Sequence, residues 1–310
     1  MKPPLLIIAG PTASGKTAAA VETAKRLNGA IISADSMQVY RGMDIGTATP
    51  TLQEREGIAH YFLDEWAPDE PGNAMRFQAR AKAAIQEIQQ QGMLPILAGG
   101  TGFYIQALLY DNEFVPVTDQ MRQAERQVAQ LYAEQGEAGL FEALRQVDAD
   151  YAAMVHPHNV KRVMRALCYY LETGEQMSHH NAMARQKPSP YDYLFVVLDM
   201  DREVLYHRID SRVDQMMASG LLEEVERLVA AGYDPSFPSM QGLGYKEMIP
   251  VLNGECTAEA AAEELKKRTR HFAKRQLTWF RRQKDAIWLP VTGKTATDVA
   301  EDIVSLWQNR

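Results

Sequence analysis

Residues Gly10-Pro11-Thr12-Ala13-Ser14-Gly15-Lys16-Thr17 fit the pattern G-x-x-x-x-G-K-[ST] at every fixed position. Few short patterns restrict a fold so strongly, because this loop works only between a buried strand and the first turn of a helix. Glycines let the backbone wrap around a phosphate, and successive N–H groups then point inward. The helix N-terminus adds partial positive charge. Lys16 supplies a full charge, and the Thr17 hydroxyl stands where a P-loop ligates Mg²⁺. The eight residues Gly10 to Thr17 therefore predict a polyphosphate or diphosphate cradle.

The rest of the chain repeats the alternation that such a loop requires. Residues 5–9, 30–34, 93–98 and 193–198 are short apolar runs, and 286–290 fits as a fifth. Runs of this kind are buried parallel strands. Stretches 17–27, 77–91 and 298–307 read as helices, the second stopped by Gly92. The fold class expected is α/β, a P-loop NTPase-like parallel sheet with helices on both faces. Residues 113–190 are mainly helical in pattern and end in a polar, Pro-containing stretch. They read as an inserted helical domain, which leaves 1–112 and 191–310 as the catalytic core. A chain of 310 residues has room for both.

Composition excludes some classes. No run of about 18 apolar residues occurs, so no helix spans a membrane. The apolar N-terminal stretch leads straight into the Gly-rich loop and reads as a first strand, not as a signal peptide. Cys168 and Cys256 are too few for a zinc site and read as reduced thiols of a cytoplasmic protein. His179 and His180 point about 100° apart on a helix and carry no metal role.

Two further segments follow strands, at the edge where ligands of open α/β sheets bind. Asp35 ends the second apolar run, as a helix cap, a magnesium-ordering acid or a general base. Gly99-Gly100-Thr101-Gly102 follows the third. Three glycines in four residues imply close approach of a ligand, with Thr101 either capping a helix or facing the crevice.

The net charge of −7 argues against nucleic acid only on average. Residues 266–284 hold nine Lys or Arg and no Asp or Glu. On a helix, Lys267, Lys274 and Arg281 form one basic row, and Arg268, Arg275 and Arg282 another. Leu265, Phe272 and Trp279 form an apolar row. With no acid inside that window to pair with, the rows are expected to meet a polyanion, the alternative being a solvated face with salt bridges to acids of other elements. The Gly-rich run Gln241-Gly242-Leu243-Gly244-Tyr245-Lys246 is suited to packing against RNA or to a helix-terminal turn.

Together these segments resemble the tRNA dimethylallyltransferase (tRNA isopentenyltransferase) family, bacterial type. The resemblance is carried by GPTASGKT, by DSMQVYRGMDIGTA from Asp35, and by GGTGFY from Gly99. It continues through KRVMRAL from Lys161, RVDQM from Arg212, QGLGYKE from Gln241 and the basic helix, in the same order along nearly the whole chain. The chain departs from the family's pattern at Thr49 and Tyr61. The resemblance implies transfer of the five-carbon group of dimethylallyl diphosphate to N6 of adenine 37, beside the anticodon of tRNA, with Mg²⁺ as cofactor. Asp35 is then the base, Thr101 orients the adenosine, and Arg212 steadies the leaving group. Ser36, Met37 and Gln38 join Asp35 and Thr101 at the tRNA. Arg122, Lys161, Arg162 and Arg165 place further tRNA contacts in the insertion, and the expected partner is the anticodon stem-loop, bound by a monomer. An ATP-dependent kinase explains the P-loop and leaves the basic helix without a role.

Overall fold

The computed structural model describes residues 2–111, 118–184, 187–283 and 285–310. Lys284, the last cation of the basic stretch, lies outside the described residues. So do residues 112–117 and 185–186 of the expected insertion. The chain divides into two compact units, Met1–Leu109 with Pro190–Arg310, and Tyr110–Ser189.

The larger unit begins β1 (Pro4–Ala9), α1 (Lys16–Leu27), β2 (Gly29–Ser33), α2 (Leu52–Arg55), β3 (His60–Tyr61), α3 (Ala74–Gln90), β4 (Leu94–Gly99) and α4 (Gly102–Leu109). The smaller unit follows with α5 (Asp119–Val147), α6 (Ala149–Met154), α7 (Val160–Thr173) and α8 (Met177–Ala184). The chain then returns through β5 (Asp192–Asp199), α9 (Arg202–Ala218), α10 (Leu221–Ala230), α11 (Tyr245–Leu252), α12 (Ala258–Phe280), β6 (Ala286–Pro290) and α13 (Ala296–Gln308).

Among the described residues the strands form one parallel sheet in the order β3-β2-β4-β1-β5-β6. Helices cover both faces, and strand periodicity of two decides which side chain meets which. Leu6, Ile8, Val196 and Leu198 pack with Ala20 and Ala24 of α1 and with Val299 and Ile303 of α13. The intervening Phe195 turns the other way and meets Phe280 of α12, with ring centroids 6.3 Å apart. Burial on both faces is why these strands read as continuous apolar runs.

Five strands lie where those runs predict them, within two residues at each end. β3 is a further strand. It is two residues long and held by pairing of Ile31 with His60 and Ile32 with Tyr61. Pairing to a neighbour makes it a strand, so no apolar run announces it. α12 starts at Ala258, capped by the Thr257 side chain on the Ala260 N–H. It therefore begins eight residues before the basic window, and those residues include acids.

The smaller unit has its own core, in which Val128, Leu140 and Leu144 of α5 meet Val163 and Leu167 of α7. α5 breaks at Gly136, where φ is 65°. Buried Asp148 joins two helices, accepting the Tyr151 N–H at 3.0 Å and the Ser178 N–H at 2.8 Å.

Sheet register positions the site. Ala9 pairs with Gly99, and Ala98 pairs with Ser33. The carboxyl ends of the adjacent strands β1, β4 and β2 therefore finish level. The loops that leave them, at Gly10, Gly100 and Ala34, emerge side by side.

Candidate active site

The Gly10–Thr17 loop has the shape of an anion cradle. Gly15 has φ 88° and Ala13 has φ 63°, so the loop curls tightly before α1 starts. Ser14 Oγ and Lys16 Nζ each donate to the Pro11 carbonyl at 2.8 Å. The lysine thus folds back over the loop. Thr17 is exposed at the first turn of α1.

Asp35 stands within electrostatic reach of both Lys16 and Arg212. Its Oδ1 accepts the Met37 N–H at 2.9 Å. Burial holds the Asp35 carboxyl above the ordinary carboxylate range, against the pull of the Met37 N–H and of the two cations. Burial also lowers Lys16 to about 8, helped by the positive charge of Arg212 and opposed by Asp35. Arg212 is depressed by burial and then by Arg208, one turn away on α9. A half-buried acid with a raised pKa beside two cations is a candidate proton acceptor.

Thr101 faces the same place. Its Oγ1 accepts the Ser36 N–H at 3.1 Å and lies 3.5 Å from the Ser36 hydroxyl. Its own N–H donates to the Ala34 carbonyl at 3.0 Å. The hydroxyl thus ties the β4 loop to the Asp35 loop.

The glycines of this segment also answer to packing within the protein. A Cβ on Gly99 would lie 2.3 Å from the Ala34 carbonyl oxygen, one on Gly100 2.3 Å from Gln276 Nε2, and one on Gly102 2.3 Å from the Trp279 ring. The close approach seen here is by Ala34, just after β2, and by Gln276 and Trp279 of α12. Gln276 is a site residue that sequence reading missed. The available signal was a neutral amide on the apolar side of α12, between Phe272 and Trp279.

The Gly-rich run 241–246 also packs inward. Tyr245 is fully buried, so it does not contact RNA as expected. Its ring sits 2.6 Å from where a Cβ on Gly46 would be. Gly244 is buried, and Gly242 abuts Met37. The glycines admit contact between two segments of this protein, the 241–246 run and the loop after Asp35. Gln241 is exposed, its amide on the Pro235 carbonyl at 2.7 Å, and half-buried Lys246 lies 3.9 Å from Glu247. Gln38 likewise turns its amide inward, to Ser33 and to the Ala48 carbonyl at 3.1 Å. Of the two departures from the family pattern, Thr49 bonds the Thr47 hydroxyl at 2.7 Å, and Tyr61 donates to Glu87 at 3.2 Å.

The basic helix needs a second correction. It does have acids to pair with, from its own first turns, from α9 and from α11. Lys266 reaches Asp214 at 2.7 Å and Glu263 at 2.8 Å, and Lys267 reaches Glu264 at 3.3 Å. Arg268 binds Glu264 at 2.7 Å and buried Glu247 at 3.2 Å, and Arg270 binds Asp210. The acid-free window began after the partners. Beyond that point the expectation of unpaired charge stands. Lys274, Arg275, Arg281 and Arg282 are exposed, with no acidic partner among the described residues.

In the smaller unit, Lys161, Arg162 and Arg165 are exposed on α7, while Val163, Ala166 and Leu167 are buried. Arg122 lies 3.7 Å from Asp119. His180 Nδ1 bonds the Tyr169 hydroxyl at 2.9 Å, and Cys168 and Cys256 are free thiols. No cluster of three potential metal-ligating side chains occurs among the described residues. No described helix is long and apolar enough to cross a membrane.

A parallel sheet, a P-loop at the end of β1 and an acid just after β2 define a P-loop α/β enzyme. A family model described as IPP transferase matches residues 38–283. A protein of Lachnoclostridium phytofermentans named tRNA dimethylallyltransferase is 51% identical over 286 residues, covering 92% of this chain and 91% of that protein. The crystal structure of a tRNA delta(2)-isopentenylpyrophosphate transferase from Staphylococcus epidermidis is 43% identical, with a TM-score of 0.73 and full coverage of both chains. A eukaryotic dimethylallyltransferase solved acting on tRNA is 30% identical, with a TM-score of 0.82, covering 99% of this chain and 80% of that one. This chain belongs to the IPP transferase family.

Proposed function

We propose that this protein is a tRNA-modifying prenyltransferase. It transfers the dimethylallyl group of dimethylallyl diphosphate to N6 of adenine 37, beside the anticodon. The observation that carries this reading is Asp35, just after β2, within electrostatic reach of Lys16 of the P-loop and Arg212 of α9, in a family whose relatives are named tRNA dimethylallyltransferase. The allylic C–O bond breaks, the C–N bond forms, and the amine proton passes to Asp35. An adenine amine is a weak nucleophile, because its lone pair feeds the ring. A carboxylate held above its ordinary pKa is a better proton acceptor for it. Charge building on the leaving diphosphate meets the loop N–H groups, Lys16 and Arg212.

Mg²⁺ fits the site chemically. It keeps most of its waters and needs few protein ligands, so an exposed Thr17 hydroxyl without an acid cluster is compatible with it. When bound, it would neutralise part of the diphosphate charge. The exposed cations Lys274, Arg275, Arg281 and Arg282 of α12 would hold the tRNA backbone. In the smaller unit, Lys161, Arg162 and Arg165 would form a second phosphate-binding patch.

The test is to incubate the protein with labelled dimethylallyl diphosphate and unmodified tRNA, with AMP or ATP as alternative partners. Label should enter tRNA and be lost when the adenine beside the anticodon is replaced. Label in AMP alone, or phosphoryl transfer from ATP, would overturn the reading.

A further inference from the structure

Helix α12 carries cations on its outer side and a bridge on its inner side. Gln276 is only 7% exposed. Its amide oxygen accepts the Thr12 N–H of the phosphate cradle at 2.8 Å, and its NH₂ donates to the Gly100 carbonyl at 2.9 Å. One side chain thus spans the loop after β1 and the loop after β4, using both halves of the amide in opposite senses. A carboxylate has no donor for Gly100, and a lysine no acceptor for Thr12. One turn on, Trp279 closes over Gly102 of the same loop. Gly100 and Gly102 let α12 come close enough to make these contacts.

We propose that Gln276 is a positioning residue for group transfer. It sets the separation of the diphosphate cradle from the Thr101 loop, and so the separation of the leaving group from the acceptor amine. The substrates in this statement rest on the transferase reading; the bridge does not. Gln276 acts through the backbone of Thr12 and Gly100. The neighbouring Lys274 and Arg275 put the tRNA-facing charge on the same turns of helix. A tRNA docked there rests on the element that holds both loops. Displacement of a reacting group by about 1 Å can cost about 10²-fold in rate, so a two-ended brace at this point has a large effect.

Two variants separate the ends of the brace. Gln276→Glu keeps shape and an acceptor for Thr12, and sets a carboxylate against the Gly100 carbonyl. Gln276→Leu removes both bonds. For each, three quantities would be measured on the whole protein with Mg²⁺: calorimetric binding of inorganic diphosphate, tRNA affinity, and kcat for transfer. Gln276→Glu should bind diphosphate within about threefold of the parent while kcat falls by about 10²-fold. Gln276→Leu should lose a similar factor in kcat and also bind diphosphate about tenfold more weakly. tRNA affinity should hold in both, because the outer cations are intact. A kcat for Gln276→Glu within threefold of the parent would overturn the proposal. So would a parallel loss of tRNA affinity in both variants, which would make Gln276 a plain packing residue of α12. A parent protein that binds diphosphate but prenylates no tRNA would instead bring down the transferase reading. The diphosphate affinities of the two variants would still test the bridge.

Discussion

The Tyr245 hydroxyl donates to Glu224 at 2.7 Å, inside the protein, and the same carboxylate receives the N–H groups of Asp44, Ile45 and Gly46. Glu224 is 2% exposed and its oxygens are saturated by these donors. Burial, and then the Glu224 charge, keep the Tyr245 phenol well above its ordinary pKa. The pair anchors the loop that runs on from Asp35. Glu224→Ala strands several buried donors and should lower stability by about 3 kcal/mol or more. Tyr245→Phe removes one bond and should cost about 1–2 kcal/mol. Urea unfolding of both variants would measure this, and equal small losses would show that the loop is held by other contacts.

Asp35→Asn keeps the shape of the side chain and removes the proposed proton acceptor. Turnover should fall by roughly 10²–10⁴, with diphosphate and tRNA affinity close to the parent. Single-turnover kinetics at saturating substrates would read this directly. Near-normal turnover with weak donor binding would make Asp35 a magnesium-ordering acid.

The donor's kcat/KM should depend on pH in two limbs, since that ratio reports groups of the free enzyme. Asp35 must be deprotonated to act, so activity rises with pH through a value above the usual carboxylate range. Lys16 must be protonated, so activity falls as pH rises through about 8. In Asp35→Asn the rising limb should disappear. The falling limb should move to lower pH, because Asp35 is what supports the lysine charge. A profile flat between about pH 7 and about pH 10 would show that Lys16 does not titrate there.

The cations of α12 should not behave alike. Arg268 is engaged with Glu264 and buried Glu247. Arg268→Gln should therefore leave the salt dependence of tRNA binding almost unchanged and weaken the fold. Arg275→Gln with Arg282→Gln removes two exposed, unpaired charges. That double change should flatten the log–log salt slope by about 1.4–1.8. Filter binding across salt concentrations distinguishes the two cases, and a large slope change for Arg268→Gln alone would mean that its ion pairs open to RNA.

Much was readable from the sequence because it is local. The cradle is one uninterrupted run from Gly10 to Thr17, and its geometry depends on glycines and a helix start within that run. The buried strands announced themselves because a sheet covered on both faces demands apolar side chains at every position. Asp35 and Thr101 could be located because each directly follows such a strand. Partnership between distant segments is different, since nothing in a local pattern names the other member. Whether the basic helix is paired depended on acids outside the chosen window and on Asp210 and Asp214 of α9. Whether Tyr245 meets RNA or Gly46 depended on how α11 packs. The amide of Gln276 joins two loops that the chain reaches far apart in sequence, and only the closing of the sheet and α12 brings them within hydrogen-bond distance.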